Sequence, residues 1–216
     1  MTIELYFHPL ASFCWKPLIA LFENATPFTP RIVDLMNEQE RADFLKISPH
    51  GKFPVIHDTE RGQTVLESSI VIEYLEQYYP GITQLLPRDA ERARATRYWD
   101  RYYDWYLHEP MQRIVADRLR AKEHKDPYGV QQAKAQLETA YAVIDSEMQH
   151  KTWAIGDDFT MADCAAAPAL FYANRVVPFG EAHALTAAYL ARLQARPSFA
   201  RVIAEAAPYF HLFPSE

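Results

Sequence analysis

The chain has 216 residues, a formal net charge of −6, and 49% hydrophobic residues. A chain of this length forms one large domain or two small ones and has enough apolar side chains for a substantial core. Its acidic balance disfavours nucleic acid and anionic membrane surfaces as partners. No stretch of the sequence approaches the roughly 18 consecutive apolar residues that a membrane-spanning helix needs.

Strand and helix patterns alternate in the first third of the chain. Hydrophobic periodicity predicts strand Thr2–Phe7, helix Trp15–Asn24, strand Arg31–Leu35, helix Asn37–Ile47, strands Phe53–His57 and Gln63–Leu66, and helix Ser68–Tyr79. A strand, a helix and a strand in succession predict a parallel pair with a right-handed crossover, and the hairpin adds antiparallel strands. This βαβ-ββα order predicts a thioredoxin-like α/β unit.

Only helical patterns follow the turn Tyr79-Pro80-Gly81. The predicted helices are Ala90–Lys122, as one long helix or a bent pair interrupted near Pro110, then Tyr128–His150, Thr160–Val176, Leu185–Ala195 and Ser198–Ala206. We therefore predict a thioredoxin-like domain at residues 1–80, a linker at 81–89 and an all-α C-terminal helical bundle at 90–216. The sequence Thr160-Met161-Ala162-Asp163 has the form of a capping box, so we expect Asp163 to be structural rather than catalytic.

The cysteine and histidine patterns bear on compartment and metals. The two cysteines, Cys14 and Cys164, lie in different halves and lack metal-site spacing, so they are predicted to be free thiols in a reducing compartment. The eight histidines show no paired metal-ligand spacing either, and no metal site is predicted. The chain starts directly with a strand pattern rather than a secretory leader. These features together predict a cytoplasmic protein.

Two short segments predict a binding site for a small peptide. Pro54 opens a short apolar strand, where an X-Pro bond can be cis and leave a neighbouring backbone N–H and C=O free for an extended ligand. Glu67 and Ser68 open a helix, whose unpaired N–H groups suit a carboxylate, while Glu67 can bind an ammonium group. The γ-glutamyl end of glutathione carries this combination of groups.

Several motifs carry a family resemblance over essentially the whole chain. They are Leu5-Tyr6 with Ser12, the corner at 48–55, Glu67-Ser68-Ser69-Ile70 with Glu73-Tyr74-Leu75, and the segment at 156–163. On these residues the chain resembles the cytosolic glutathione S-transferases, nearest to the serine-type theta and zeta enzymes and their bacterial relatives. The resemblance implies a homodimer with glutathione as co-substrate. It also implies that Lys52 binds the glycine carboxylate and that Phe53 binds through its backbone.

Ser12 and Cys14 are the alternative catalytic residues. The resemblance implies that the Ser12 hydroxyl donates a hydrogen bond to the glutathione sulfur, which favours the thiolate; the structural alternative is a helix cap. Because proline is tolerated in a first helical turn, Pro17 predicts a helix start near Phe13 or Cys14. The helix terminus would then lower the pKa of Cys14, although a packed thiol is the preferred interpretation. Backbone N–H groups at the helix start are the third alternative.

The leading functional hypothesis is a glutathione transferase that adds the thiolate to an electrophilic, mostly apolar substrate. We expect this substrate between Leu10–Phe13 and the aromatic-rich helix near Tyr102–Arg113. The alternatives are a glutathione-dependent thiol-disulfide oxidoreductase, which a reactive Cys14 would favour, and an isomerase or dehalogenase that uses the same thiolate. A non-catalytic transferase-like binding module is the alternative outside the enzyme class.

Overall fold

The computed structural model describes residues 2–214 and begins with a four-stranded mixed sheet in the order β2-β1-β3-β4. Its elements are β1 Ile3–Phe7, α1 Ser12–Glu23, β2 Phe28–Ile32, α2 Glu38–Ile47, β3 Val55–Asp58, β4 Gln63–Leu66 and α3 Ser68–Tyr78. Strand β1 runs parallel to β2 and antiparallel to β3, and β3 forms a hairpin with β4. The predicted thioredoxin-like arrangement is therefore confirmed.

The rest of the described chain is helical. Its elements are α4 Ala90–Tyr102, a π-helical segment Tyr103–His108, α5 Glu109–Leu119, α6 Pro127–Glu147, α7 Met161–Val176, α8 Ala184–Ala195 and α9 Pro197–Ala206, with short 3-10 turns at Lys122–His124, Glu181–His183 and Ala207–Leu212. The predicted all-α bundle is confirmed. Across residues 2–214, every helix is too short or too polar to cross a membrane.

Two predicted element boundaries in the N-terminal part are wrong. Strand β2 occupies Phe28–Ile32 rather than Arg31–Leu35, because it lies at the edge of the sheet, where most of its side chains are exposed and no buried alternation marks its position. The edge also accommodates Pro30, which cannot donate to a ladder. Helix α1 begins at Ser12 rather than at the predicted Trp15. Pro17 therefore lies in the second turn of the helix and not in the first, as was expected.

Helix α7 is buried along most of its length and starts at the predicted capping box. The Asp163 carboxylate accepts hydrogen bonds from the Thr160 backbone N–H at 2.8 Å, the Ala154 backbone N–H at 2.8 Å and the Tyr189 hydroxyl at 2.6 Å. These partners tie the loop before α7 and helix α8 to the start of the helix. The structural interpretation of Asp163 is confirmed.

One hydrophobic core extends through both parts of the chain. Trp15 of α1 is fully buried, and its ring centroid lies 5.1 Å from Phe171, 4.9 Å from Tyr172 and 5.8 Å from Phe199. The Trp15 indole N–H donates to the Pro9 carbonyl at 2.6 Å. Since α1 also carries Ser12, this packing fixes the end of β1 and the start of α1 against the helical bundle.

Candidate active site

A cavity of about 1080 Å³ lies between the sheet unit and the helical bundle. It is lined by six of the seven residues that the sequence predicts for the site: Ser12, Lys52, Phe53, Pro54, Glu67 and Ser68. The seventh, Cys14, is not among the lining residues. Segments that are far apart in the sequence therefore converge on one space, which a small peptide could enter.

The corner at Pro54 forms one edge of this cavity. The Phe53–Pro54 peptide bond is cis, as predicted. The Ser48 hydroxyl donates to the Lys52 carbonyl at 3.0 Å and accepts from the Lys52 N–H at 3.2 Å, which holds the loop in place. The ring of Phe53 stacks on Phe44 with the centroids 4.6 Å apart. Pairing of β3 begins at Val55, so the Phe53 main chain lies just outside the ladder.

Glu67 and Ser68 form the second edge, at the start of α3. Glu67 is the N-cap residue and has a φ of 69°, a conformation that a residue with a Cβ adopts at a cost of about 1–3 kcal/mol. No side chain of residues 2–214 caps this helix. The first-turn N–H groups are therefore placed to bind an anion, with the Glu67 carboxylate next to them.

Ser12 is the first residue of α1, and its Oγ is in hydrogen-bond contact with Nε2 of His108, at the end of the π-helical segment. The helix-cap alternative is wrong, since the N-cap is Ala11 and no side chain caps the helix in the described structure. The His108 ring stacks on Phe13 with centroids 3.9 Å apart and planes inclined by 4°. Burial, assisted by the charge of Lys16, lowers the pKa of His108 to about 3, so the ring is neutral.

Cys14 lies in the core rather than in the cavity. The side chain is fully buried, and burial raises the pKa of the thiol to about 12. The expectation that the helix terminus lowers this pKa is therefore wrong, because loss of water around the thiolate outweighs the partial charge of the helix. The structure supports the preferred interpretation of Cys14, a packed thiol.

A buried ionic cluster below the start of α3 was not predicted. Lys16 is fully buried, and its Nζ lies 2.9 Å from Asp100 Oδ1, 2.9 Å from both carboxylate oxygens of Asp104 and 2.9 Å from Ser69 Oγ. Ser69 in turn donates to Asp100 Oδ2 at 2.7 Å. Arg101 Nη2 lies 2.6 Å from Asp100 Oδ2 and 2.7 Å from Asp104 Oδ2. Burial acts to raise the pKa of Asp100, but Lys16, Ser69 and Arg101 outweigh it and hold the pKa below its usual range. The cluster joins α1, α3 and the helical bundle at one point.

The other wall of the cavity comes mainly from α5 and the C-terminal segment, with Leu10 from the loop before α1 and Tyr172 from α7. Its side chains are mostly apolar, with one amide: Leu10, Met111, Gln112, Val115, Ala116, Leu119, Tyr172, Leu212, Phe213 and Pro214. The Tyr172 hydroxyl donates to the Leu10 carbonyl at 3.1 Å, and Arg118 Nη1 donates to the Pro214 carbonyl at 3.1 Å. The first bond connects α7 to the loop before α1, and the second connects α5 to the C-terminal segment.

The aromatic residues predicted near this wall lie elsewhere. Tyr102 and Tyr103 are buried, whereas Tyr98, Trp105 and Tyr106 are exposed, and none of the five lines the cavity. The rings pack on one another, with centroids 6.2 Å apart for Tyr98–Tyr102 and 4.9 Å apart for Tyr102–Tyr106. Within the range Tyr102–Arg113, which was expected to contact the second substrate, Met111 and Gln112 are the residues that line the cavity.

Within residues 2–214, no group of three or more histidine, cysteine, aspartate or glutamate side chains is close enough to hold a metal ion. The polar groups at the cavity include a buried hydroxyl, a free helix start, a carboxylate and an exposed ammonium group, together with the His50 imidazole and the Gln112 amide. This set can bind a zwitterionic peptide and place a hydrogen-bond donor near one of its atoms.

The comparisons with known proteins agree with this geometry. The family model for the glutathione S-transferase N-terminal domain matches residues 5–83, and the model for the C-terminal domain matches residues 103–197. A probable maleylacetoacetate isomerase of Caenorhabditis elegans is 28% identical over 79% of this chain and 78% of its own length. FtsZ-localized protein A of Caulobacter vibrioides is 29% identical over 96% of this chain and 94% of its own.

A solved structure has the same fold. The glutathione transferase URE2P6 of Phanerochaete chrysosporium, determined in complex with oxidized glutathione, superimposes with a TM-score of 0.85 at 21% identity, over 96% of this chain and 97% of that one. Both domain models of one family thus match in order and cover most of the chain. The protein therefore belongs to the glutathione S-transferases, the enzymes that take glutathione as a co-substrate.

Proposed function

We propose that glutathione lies along the Phe53–Pro54 corner with its sulfur next to Ser12. The observation that carries this proposal is the convergence of Ser12, Lys52 and Glu67 on one cavity. The γ-glutamyl ammonium group pairs with Glu67, its carboxylate binds the first-turn N–H groups of α3, and the glycine carboxylate faces Lys52. The main chain of Phe53 pairs with the extended peptide as an added strand would.

The chemistry follows from the position of the Ser12 hydroxyl. A hydrogen bond from Ser12 to sulfur stabilises the thiolate and lowers the pKa of the bound thiol, whose proton passes to solvent. The thiolate attacks an electrophilic carbon, a sulfur–carbon bond forms, and the displaced electron pair leaves with the leaving group or is protonated. The rate gain comes from the larger thiolate fraction at neutral pH and from holding two reactants in one cavity.

The second substrate is proposed to be an uncharged apolar electrophile. The wall formed by α5 and the C-terminal segment presents no ionisable lysine, arginine, histidine or acidic side chain among the described lining residues. The charged lining groups, Lys52 and Glu67, belong to the proposed glutathione half. A dicarboxylate would lose its hydration at this wall without gaining a charged partner, which is unfavourable.

The experiment that tests this function is a turnover screen of the purified protein with glutathione. We expect conjugation of neutral aromatic or halogenated electrophiles, and much slower turnover of mixed disulfides and of cis-trans dicarboxylate isomers. Turnover of disulfides alone would establish the thiol-disulfide alternative, and turnover of dicarboxylates alone would establish the isomerase. Glutathione binding without any turnover would favour the non-catalytic binding module.

Replacement of Glu67 by alanine should weaken glutathione binding strongly. Removing one member of a partly desolvated charged pair typically costs about 2–5 kcal/mol, and Glu67 is the proposed partner of the ammonium group. Calorimetric titration measures this loss. Glu73→Ala is the matched control, since Glu73 lies on the same helix but pairs with Arg97 at 2.8 Å on the surface. Equal affinities of the wild type and Glu67→Ala would remove Glu67 from the site.

A homodimer is proposed, with the exposed aromatic residues of α4 and the π-helical segment at the interface. Tyr98, Trp105 and Tyr106 are 57%, 64% and 58% exposed, and two-fold dimers are the commonest closed assembly. Light scattering should give twice the chain mass of 25.0 kDa at micromolar concentration. Trp105→Glu should shift the protein toward monomer, and Tyr128→Glu, at a 73% exposed tyrosine elsewhere, should not. A wild-type monomer would contradict the proposal.

We propose that the two domains are residues 1–80 and 90–216, because α3 ends at Tyr78 and α4 begins at Ala90. Amide exchange should show separate protected blocks on either side of 81–89, and one uninterrupted block would contradict the division.

A cytoplasmic location is also proposed, because Cys14 and Cys164 are both unpaired. Cell fractionation that finds the protein outside the cytoplasm would overturn it.

A further inference from the structure

We propose that His108 is a positioning residue, whose Nε2–H donates to Ser12 Oγ and leaves the serine proton for the glutathione sulfur. The inference deepens the proposed function and rests on it, because it concerns how the same hydroxyl is presented. Its basis is the contact between Ser12 Oγ and His108 Nε2, which lie 96 residues apart in the sequence.

The neutral His108 ring can adopt either of two tautomers. A neutral imidazole carries its proton on one nitrogen and accepts on the other. The buried Nδ1 has no hydrogen-bond partner among residues 2–214. A proton on Nδ1 would therefore leave a buried donor unsatisfied, whereas a proton on Nε2 has Ser12 Oγ as its acceptor. Orphaned buried N–H groups are the rarer arrangement, so the Nε2–H tautomer is favoured.

The Ser12 hydroxyl can donate only one hydrogen bond. A serine hydroxyl has one proton and two acceptor lone pairs. With the opposite tautomer, the Ser12 hydroxyl would donate its single hydrogen bond to His108 Nε2 and could not donate to a sulfur. With Nε2–H as donor, Ser12 accepts from the ring and its own O–H is free on the side of the cavity that it lines. A hydroxyl that accepts one hydrogen bond is also a stronger donor in the next.

The neighbours of His108 hold its ring in place. His108 stacks on Phe13, the residue after Ser12, at 3.9 Å, and it ends the π-helical segment Tyr103–His108, a helix type found frequently at functional sites. The charge that acts on it is that of Lys16, which pairs with Asp100 and Asp104, and these carboxylates pair in turn with Arg101. The pKa of His108, lowered to about 3, makes the ring a weak base that stays neutral at neutral pH, which agrees with a donor role.

The variants that separate a donor role from a packing role are His108→Gln and His108→Asn. The glutamine amide nitrogen reaches the position of Nε2, whereas the shorter asparagine amide corresponds to Nδ1. We expect His108→Asn to raise the thiol pKa of bound glutathione by about one unit and to lower kcat about tenfold, the effect of one lost hydrogen bond. The KM for glutathione should stay within about twofold, and His108→Gln should recover most of the loss.

Two further measurements make the proposal falsifiable. Nitrogen NMR of the glutathione-free protein should show the Nε2–H tautomer of His108, shifted in Ser12→Ala, and an Nδ1–H tautomer would overturn the proposal. The control is His183→Asn, a buried histidine that contacts Glu138 away from the cavity, which should leave the thiol pKa unchanged. Equal effects of His108→Asn and His108→Gln would also overturn it. A wild type that fails to lower the thiol pKa at all would instead refute the proposed function.

Discussion

Replacement of Ser12 by alanine is expected to raise the thiol pKa of bound glutathione and to lower kcat by roughly two to three orders of magnitude, as for other preorganised donors. The serine hydroxyl lines the cavity and is buried, so water cannot replace its hydrogen bond to the thiolate at full strength. The thiolate absorbance of bound glutathione, titrated against pH, measures the shift directly. The affinity for glutathione should change little, because its proposed contacts with Glu67, Lys52 and the start of α3 remain.

Cys14→Ala is the matched control for this prediction. Cys14 lies on the same helix, two residues further on, but is buried outside the cavity with its pKa raised to about 12, so its removal should leave the glutathione titration unmoved. Loss of thiol transfer in Cys14→Ala with a normal titration in Ser12→Ala would reverse the two roles. An effect of neither variant would assign the activation to backbone N–H groups at the start of α1.

Replacement of Lys16 by methionine is expected to destabilise the protein by about 3–5 kcal/mol, the usual consequence of removing one partner from a buried ion pair. Lys16 is fully buried, and the change leaves the buried carboxylates of Asp100 and Asp104 paired with the half-exposed guanidinium of Arg101. Denaturant unfolding gives the free energy. Because the folded pKa of Asp100 is depressed, its stabilising effect is present above the unfolded pKa and is lost as the pH falls through the folded one. The destabilisation should therefore shrink in acid.

The control for this prediction is Lys46→Met. Lys46 is 73% exposed and pairs with Asp43 at 2.7 Å, and exposed pairs of this kind contribute about 0–1 kcal/mol. If Lys16→Met does not fold, combining it with Asp104→Asn should recover stability, because one uncompensated charge is removed. A Lys16→Met variant as stable as Lys46→Met would show that the cluster does not hold α1 against the bundle.

The proposed site residues whose places in the fold were predicted share one property, which is that their neighbours in sequence define those places. Pro54 follows a loop and opens a strand, and Glu67 directly precedes a helix, so the pattern of a few residues was enough to predict a corner and a free helix start. The resemblance implied Ser12 from its place after the first strand. The structure brings all three to one cavity, although only the fold determines the distances between them.

The residues that were missed depend on contacts across the chain. His108 contacts a residue 96 positions away, and Lys16 pairs with Asp104 across 88 positions, so no local pattern could indicate either contact. The error in the pKa of Cys14 has the same origin. The sequence locates the thiol near a helix start, but its burial under the bundle, which decides the pKa, is a tertiary property.

The backbone of Glu67 has a consequence for engineering the enzyme. Its positive φ, which costs about 1–3 kcal/mol, would be relaxed by glycine, and the relief exceeds the roughly 0.5–1 kcal/mol of extra entropy that glycine loses on folding. The same substitution would remove the carboxylate proposed to bind the ammonium group. Selection for heat resistance alone is therefore expected to discard this residue, and selection for turnover to restore it, which makes position 67 a place where thermostability and activity trade against each other.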